Sequence, residues 1–519
     1  MSARLPTHND QPTFECKLQR AALVEQVARE IADGQPSLVF GIHGDWGSGK
    51  TSFLCQLANE LSENCLVHRD RDKPARTLGI ENVFTVWFDA WRYQHEPSPV
   101  VALLHEICHQ LPLHQKLWSG FQRHSAAIIK TALETVSEVT CEIAAQPVGV
   151  GVKKSFKFKN PFTTLREQQK LWDDAHFSAR LTTDRVRDLL SGAMKKLLGW
   201  NPENRRRVCV IIDDLDRCDP PSALKLLEGI KIHLSLPECV FVLGVNLRQI
   251  ERAIAPHLPG AKEKKQTTED YEQADAELRA EGAEYLEKLC SYTWKLPFLS
   301  ASTRAAQLRL LLGSPPHADA HVANTLPAPL IGHICDLAEE FDCLPANPRK
   351  IKALANTIRQ LAALGWPHAT PGAALSIPPA EQASEADRLL VAASIYQFHP
   401  ELLRFLQTYL NAWTDLVEHL TGRGRFGDKQ DFLSVIKLLR LPAAIPDLKP
   451  KPESPTPPRE RLFEGYIDPV GIMVFRIQKL LVSANAKRNS MSRESMTRYL
   501  LFPEVAAAAD PAPDASIYS

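Results

Sequence analysis

The residues with the clearest chemical potential form a glycine-rich loop near the amino terminus. The segment from Gly44 to Thr51 reads GDWGSGKT and fits the pattern GxxxxGK[ST]. It lies between an apolar run that predicts a strand, SLVFGIH, and a helical pattern, TSFLCQLANEL. In that position the backbone N–H groups of the loop and of the helix start can bind a phosphate. The pattern therefore predicts a nucleotide-binding loop of the Walker A type.

Within this loop the side chains divide by their chemistry. Lys50 is expected to bind the β and γ phosphates of a nucleotide, and the hydroxyl of Thr51 is expected to coordinate Mg²⁺. The alternative is an ordinary glycine-rich turn, which the order of strand, loop and helix disfavours. The other residues predicted to surround the phosphates are Gly44, Asp45, Trp46, Gly47, Ser48, Gly49 and Ser52.

A second element fits a Walker B strand. The apolar run 208–212 is followed directly by Asp213 and Asp214. We expect Asp213 to hold Mg²⁺ through water and Asp214 to orient or deprotonate the attacking water. Two carboxylates can also simply mark a polar strand end, but beside a Walker A loop the catalytic interpretation is favoured.

Further polar candidates follow these strands. Asn246 comes after the apolar run 240–245, where it can contact the γ phosphate or the attacking water, or equally cap the next helix. Asp216, Arg217 and Arg349 are the remaining candidates. An arginine can neutralise charge on a transferring phosphoryl group, but it can equally pair with a surface acid. We therefore assign Arg217, Asn246 and Arg349 as candidate catalytic residues with these alternatives open.

Two other pattern matches carry less weight. His105 and His109 satisfy HExxH on a predicted helix, the arrangement of a zinc peptidase. No histidine follows ten residues after His105, so an ordinary helical histidine pair is favoured. The pattern GxGxxG at 422–427 follows a helix rather than a strand, which favours a helix end and loop.

The elements that would position the site alternate along the chain. An amphipathic helix is predicted over 14–33, and helical patterns separate a series of short apolar runs. Continuous apolar strands between helices indicate an α/β fold with a parallel sheet covered on both faces, in three layers. The predicted strands are 38–42, 83–88, 208–212, 240–245 and 292–298.

The chain of 519 residues is long enough for two to four domains. The first half of the nucleotide-binding core, with the Walker A loop, is expected at 1–112, and the second half, with the Walker B strand, at 205–300. A long, charged helical insertion separates them at 113–204. The remaining expected segments are an α-helical lid at 301–440, a proline-rich linker at 441–458, a C-terminal segment at 459–505 and a disordered tail at 506–519.

Composition excludes several classes of protein. Because 61 basic residues balance 61 acidic ones, no overall charge attracts nucleic acid. None of the 11 cysteines forms a CxxC pair, which is typical of buried thiols in a reducing compartment. No window offers the roughly 20 apolar residues of a membrane helix, and the amino terminus lacks the apolar core of a secretory signal. A cytoplasmic protein is therefore expected.

The motifs taken together resemble the KAP family of P-loop NTPases. The resemblance rests on GIHGDWGSGKTS, TVWFDAWRYQHE and VIIDDLDRCDP, and further downstream on FVLGVN, AEYLEKLCSYTWKLPF and NPRKIKALAN. It covers about residues 14–420. It implies a P-loop fold with an extra strand between the two Walker strands, and it supports the roles given to Lys50, Thr51, Asp213 and Asp214. Asp89, Trp91 and Arg217 also fall inside family motifs, although Trp91 can equally belong to the core.

The resemblance also implies partners and a role. It favours ATP as the nucleotide, self-association or a protein partner, and a part in phage exclusion, with which bacterial members are associated. Many members carry transmembrane helices between the Walker motifs, whereas the insertion here is too charged to span a bilayer. Members often have Asp where this chain has Asn246, so the resemblance assigns no catalytic charge to that position.

Two functions follow from these observations. The first is a Mg²⁺-dependent ATPase that acts as a conformational switch, in which helices carrying Arg349 move when the γ phosphate leaves. The alternative is a nucleotide-stabilised scaffold that binds ATP, hydrolyses it negligibly and recruits a partner protein. The intact pair of Asp213 and Asp214 favours the ATPase.

Overall fold

A computed structural model of the chain describes ten stretches of residues and a few single positions between them. The stretches are 11–34, 38–62, 73–96, 98–111, 182–201, 205–254, 282–313, 326–365, 377–408 and 491–500. The chain divides into two compact units: a sheet unit, Pro12–Leu296, and a helical unit that joins Met1–Gln11 to Pro297–Ser519. The predicted linker 441–458, the GxGxxG segment and the insertion up to residue 181 lie outside the described residues.

In the described part of the sheet unit, five strands form a sheet and all run parallel. They are paired in the order β2-β3-β4-β1-β5. The sequence-based expectation of a parallel α/β sheet is thereby confirmed. The strands are β1 Val39–His43, β2 Val83–Asp89, β3 Arg207–Asp213, β4 Cys239–Val245 and β5 Tyr292–Lys295.

The spatial order of the strands differs from their order in the chain. Strand β2 lies between the two Walker strands in sequence, but it forms one edge of the sheet, and β4 separates β1 from β3. Burial explains the arrangement, because every residue of β3 and β4 is buried and such strands need neighbours on both sides. Strand β5 forms the other edge. It ends at Lys295, earlier than the predicted 298, since Pro297 cannot donate a ladder hydrogen bond.

Helices cover both faces of the sheet. Alternate residues of β3 show the two faces: Val208 and Val210 pack in one core cluster with α3 and α5, whereas Cys209 and Ile211 pack in another with α1 and α2. These two cores produce the expected three layers. The helices are α1 Ala21–Asp33, α2 Lys50–Leu61, α3 Pro99–Gln110, α4 Thr182–Leu198, α5 Pro220–His233 and α6 Leu247–Ile254.

The helical unit has its own core. It is built around α10, along which Glu385 and Asp387 are buried together with the apolar positions. Helix α7 lies inside the segment predicted to be helical, 301–440, but its bounds were not predicted individually. None of the helices in the described part of the chain is long and apolar enough to cross a bilayer. The helices are α7 Ala301–Gly313, α8 Ala328–Glu340, α9 Pro348–Gly365, α10 Gln382–Phe398, α11 Pro400–Thr408 and α12 Arg493–Leu500.

Candidate functional site

The carboxyl ends of the three central strands bring the predicted polar residues to one edge of the sheet. Strand β1 leads into the glycine-rich loop, β3 ends at Asp213, and β4 is followed by Asn246. The N–H of Gly44 donates to the carbonyl of Val245 at 3.2 Å, which fastens the start of the loop to β4. This edge is where parallel α/β sheets bind ligands.

The structure explains the two glycines that the sequence pattern fixes in the loop. Gly49, the residue before α2, has a φ of 91°, in the left-handed region that side chains disfavour. At Gly44 a Cβ would lie 2.5 Å from Ser48 Oγ and 3.1 Å from Lys50 Cγ. The close packing of loop and lysine therefore explains why the sequence pattern carries glycine at these two places.

Lys50 lies inside the loop and is only 7% exposed. Its Nζ donates to the carbonyl of Gly44 at 2.7 Å and lies 3.4 Å from Asp216 Oδ2. The ammonium group is thus held over the loop by one neutral and one charged acceptor. In this position it can bind the phosphates of a nucleotide.

Asp216 connects three segments of the site through a single oxygen. Its Oδ2 accepts hydrogen bonds from Trp46 Nε1 at 3.0 Å and from the backbone N–H of Asn246 at 3.0 Å, in addition to Lys50. The sequence named Asp216 only as a general polar candidate. The feature that places Asp216 in the site is the short 3₁₀ turn Leu215–Arg217, which turns the chain back toward the loop directly after the Walker B strand.

Asp213 fits the role of a magnesium ligand. It is 4% exposed, and its Oδ1 has no hydrogen-bond partner among the described residues. Burial, reinforced by the neighbouring charge of Asp214, raises the pKa of Asp213 to about 6, although a hydrogen bond from the Thr51 hydroxyl opposes the shift. A buried carboxylate with an unpartnered oxygen is costly, and a cation beside it removes that cost.

Two more polar atoms at this edge lack partners within the described structure. They are Ser48 Oγ in the loop and Asn246 Oδ1 after β4, and both atoms are buried. The amide Nδ2 of Asn246 lies 3.5 Å from Asp45 Oδ1. Native proteins rarely leave buried polar atoms unsatisfied, so their concentration here indicates the place of a ligand.

Asp214 is engaged with Arg217. Its Oδ1 accepts from Arg217 Nε at 3.0 Å, and its backbone is left-handed with φ 56°. Burial raises the pKa of Asp214, and the positive charge of Arg217 counteracts that rise. The guanidinium of Arg217 also lies 5.7 Å from the ring centre of Trp91, which is 48% exposed. Trp91 is therefore not a core residue, and Arg217 pairs with a predicted catalytic acid rather than with an unrelated surface acid.

Asp89 ends the neighbouring strand. It pairs with Asp213 in the register of β2 and β3. Its Oδ1 accepts from the backbone N–H of Arg92 at 3.3 Å, which fixes the turn that carries Trp91. The family motif residues of this strand thus lie next to the Walker B carboxylate.

The outer side of the loop is held by residues that precede the first helix, most of which lie within the helix predicted over 14–33. Helix α1 begins only at Ala21, and the segment before it contacts the loop and α2 instead. Arg20 Nη1 donates to the carbonyl of Ser48 at 2.8 Å, and the N–H of Thr13 donates to the hydroxyl of Ser52 at 3.1 Å. Arg20 is 5% exposed and is a positioning residue that helical periodicity could not reveal.

Arg349 belongs to the helical unit. It lies in the first turn of α9, where the side chain of Asn347 accepts hydrogen bonds from the backbone N–H groups of Arg349 at 3.0 Å and Lys350 at 3.4 Å. The side chain of Arg349 is exposed. The NPR element is thus a helix cap.

The HExxH residues lie on α3. His105 and His109 are exposed, while Glu106 accepts hydrogen bonds from the Tyr93 hydroxyl at 3.1 Å and from Gln110 Nε2 at 2.6 Å. In the described part of the chain, no group of three His, Cys, Asp or Glu side chains is arranged to hold a metal. A phosphate-bound Mg²⁺ needs only one or two side chains, because water and phosphate oxygens complete its shell.

Comparison with known proteins agrees with this geometry. The model of the KAP family P-loop domain matches residues 20–364. The chain is also similar to the phage T7 exclusion protein of Escherichia coli (strain K12), with 23% identity over 288 residues. That match covers 53% of this chain and 32% of the relative, so the chain spans about a third of that protein's length. Because the family model matches more than half of its residues, the chain belongs to the KAP family of P-loop NTPases.

Proposed function

We propose that this chain is a Mg²⁺-dependent ATPase that acts as a conformational switch. The observation that carries the proposal is the unpartnered, buried Oδ1 of Asp213, next to the hydroxyl of Thr51 and in the same site as Lys50. A carboxylate, a hydroxyl and an ammonium group in this arrangement supply the ligands for a metal–triphosphate complex.

The residues of the loop bind and orient the nucleotide. The backbone N–H groups that begin α2 hold the phosphates, and Lys50 donates to the β and γ phosphates. Thr51 and Asp213 hold Mg²⁺, which neutralises charge on the phosphate oxygens when it is bound. Gly44, Gly47 and Gly49 allow the backbone to approach the phosphates, while Asp45, Trp46, Ser48 and Ser52 line the same loop.

Asp214 orients the attacking water and accepts its proton. The raised pKa of Asp214 suits a general base, because a more basic carboxylate takes up a proton more readily. Asn246 contributes its amide to the γ phosphate or the water. Arg217 neutralises charge once its ion pair with Asp214 opens.

The helical unit provides the output of the switch. Arg349 senses the γ phosphate, and loss of that phosphate on hydrolysis changes the position preferred by the helices that follow. The similarity to a phage exclusion protein supports a role in antiviral defence, exerted in the cytoplasm through self-association or a protein partner.

The direct test is steady-state ATP hydrolysis by the purified chain with Mg²⁺, with ATP binding recorded on the same samples. Asp214→Asn should lower turnover by about 100-fold while binding survives, because a general base contributes on that scale. Equal turnover in wild type and Asp214→Asn would contradict the ATPase.

One observation favours the scaffold as a second candidate. The carboxylate of Asp214 is bound to Arg217 at 3.0 Å, so in this conformation it is not positioned to activate water. The scaffold would be supported if wild type and Asp214→Asn both bind ATP but neither hydrolyses it, with or without candidate protein partners. Turnover that appears on addition of a partner would support a triggered ATPase.

A further inference from the structure

The three donors around Asp216 form an anion-binding arrangement that a side chain of the protein itself occupies. Trp46 comes from the loop, Lys50 from the start of α2 and Asn246 from the end of β4. All three direct an N–H toward the same oxygen, Asp216 Oδ2. The side chain of Asp216 is 1% exposed, so its charge is shielded from water and acts strongly on its neighbours.

We propose that Asp216 is a positioning residue that takes the place of a phosphate oxygen beside the loop and releases Lys50 when a nucleoside triphosphate binds. The inference rests on the proposed function and names the regulation of that same site. Like a phosphate oxygen, a carboxylate oxygen is anionic and accepts several N–H donors at once.

The distances indicate which contact gives way. The contacts from Trp46 and Asn246 are both 3.0 Å, whereas Lys50 lies at 3.4 Å, at the long end of the hydrogen-bonding range. Lys50 is also held by the carbonyl of Gly44 at 2.7 Å, so it can leave Asp216 without leaving the loop. The two shorter contacts keep the loop attached to the end of β4.

This arrangement has two opposing effects on nucleotide binding. The hydrogen bonds of Asp216 hold the loop in a form ready to bind, while its negative charge competes with the phosphates for Lys50. The two effects separate in Asp216→Asn, which retains an acceptor oxygen for Trp46 and Asn246 but removes the charge. That substitution should therefore tighten ATP binding, which the loss of a purely structural residue would not do.

The experiment is calorimetric titration of ATP, with Mg²⁺ and with EDTA, into wild type, Asp216→Asn and a matched control, Asp219→Asn. Asp219 caps α5 through Ser222 N at 3.1 Å, and asparagine caps equally well. We expect Asp216→Asn to bind ATP about tenfold more tightly in both conditions, equivalent to ~1.4 kcal/mol, and Asp219→Asn to match wild type. Unchanged or weaker binding by Asp216→Asn would overturn the inference, and weakening confined to the Mg²⁺ titration would identify Asp216 as a metal ligand instead.

The outcomes separate this inference from the proposed function. If wild type and Asp216→Asn both fail to bind ATP, both proposals fail. If wild type binds and Asp216→Asn binds no more tightly, only the inference fails. If Asp216→Asn does not fold, Trp46→Phe tests the same contact at a half-exposed position. With one donor fewer, Asp216 should hold Lys50 more firmly and weaken ATP binding about threefold, and tighter or unchanged binding would overturn the inference.

Discussion

Two sets of buried polar groups, one in each unit, differ in how their hydrogen bonds are satisfied. In the helical unit, the guanidinium of Arg304 binds the carbonyl of Leu344 and the carboxylate of Asp342, and Arg359 donates to two carbonyls of α7. At the carboxyl edge of the sheet unit, by contrast, Asp213 Oδ1 and Asn246 Oδ1 are buried without a hydrogen-bond partner among the described residues. These two arginines therefore join separate parts of the helical unit, whereas the two oxygens at the sheet edge remain available to a ligand.

This difference has an energetic meaning. A buried polar group left without a partner costs roughly 1–3 kcal/mol, more if it is charged. Asp213 and Asn246 carry that cost at the carboxyl edge of the sheet, where a bound cation and phosphates would remove it. Substitutions at this edge should therefore change ligand binding more than stability, and substitutions of buried charges in the helical unit should do the reverse.

The largest effect is expected at Lys50. In Lys50→Ala the loop loses the ammonium group assigned to the phosphates, and ATP binding should weaken by about a thousandfold, equivalent to ~4 kcal/mol. Lys17→Ala is the control, because Lys17 is an exposed lysine of the same unit paired with Glu15. Calorimetric titration measures both variants. If Lys50→Ala binds ATP as tightly as wild type, the nucleotide site is wrongly placed.

The next effect concerns stability in the helical unit. Arg304→Leu removes the buried member of an ion pair whose other member, Asp342, is 33% exposed, together with the hydrogen bond to the carbonyl of Leu344. It should lower the free energy of unfolding by about 2 kcal/mol in a urea titration. Arg309→Leu is the matched control: Arg309 pairs with Asp336 at 3.0 Å, but both side chains are more than half exposed. That exposed ion pair should contribute less than about 1 kcal/mol to the free energy of unfolding. If Arg304→Leu and Arg309→Leu lose the same free energy of unfolding, the buried charges of the helical unit do not contribute more to stability than exposed ones.

A third prediction applies one chemical change to both units. Asp213→Asn removes a charge that burial disfavours, as the raised pKa of Asp213 shows, so without nucleotide it should raise the free energy of unfolding by about 1 kcal/mol. Asp342→Asn removes a charge that pairs with Arg304 and should lower it. Urea unfolding in EDTA measures the change in the free energy of unfolding, which should be positive for Asp213→Asn and negative for Asp342→Asn. Asp213→Asn should also lose the gain in ATP affinity that Mg²⁺ provides, and a variant that keeps this gain would show that Asp213 is not a metal ligand.

The smallest expected effect is a pH dependence at the end of β1. His43 Nδ1 accepts from the N–H of Leu247 at 3.0 Å, which requires an unprotonated Nδ1. Burial lowers the pKa of His43, and the nearby cations Lys295, Lys50 and Arg248 lower it further against the opposing charge of Asp45.

The folded chain therefore resists protonation of His43 more than the unfolded chain does. The stabilisation is complete above the unfolded pKa of about 6.5 and is lost as the pH falls below it. His43→Asn supplies an acceptor that does not titrate. Thermal unfolding between pH 7.5 and 5.5 should show a steeper decline for wild type than for His43→Asn, by less than about 1 kcal/mol. Parallel curves would show that the imidazole does not contribute.

Much of the sheet unit was predictable because its signals are local. The four strands β1 to β4 begin and end within one position of their predicted bounds, whereas β5 ends three residues early. The glycine-rich loop required its residues at fixed spacing for the backbone to turn and approach a phosphate. The bounds of helix α7 were not predictable, because polar residues such as Thr303, Arg304 and Gln307 occupy buried positions on it. Its sequence therefore lacks the apolar repeat of an amphipathic helix.

The sequence by itself determined the parallel α/β class, the Walker A loop and the pair of carboxylates after β3, since each depends on residues close together in the chain. Only the tertiary structure decided that β4 separates the Walker strands, that Arg20 supports the loop from outside, and that Asp216 binds Trp46, Lys50 and Asn246 through one oxygen. These contacts join residues 28 to 170 positions apart. No local pattern encodes them, because it is the packing of the strands that brings such residues together.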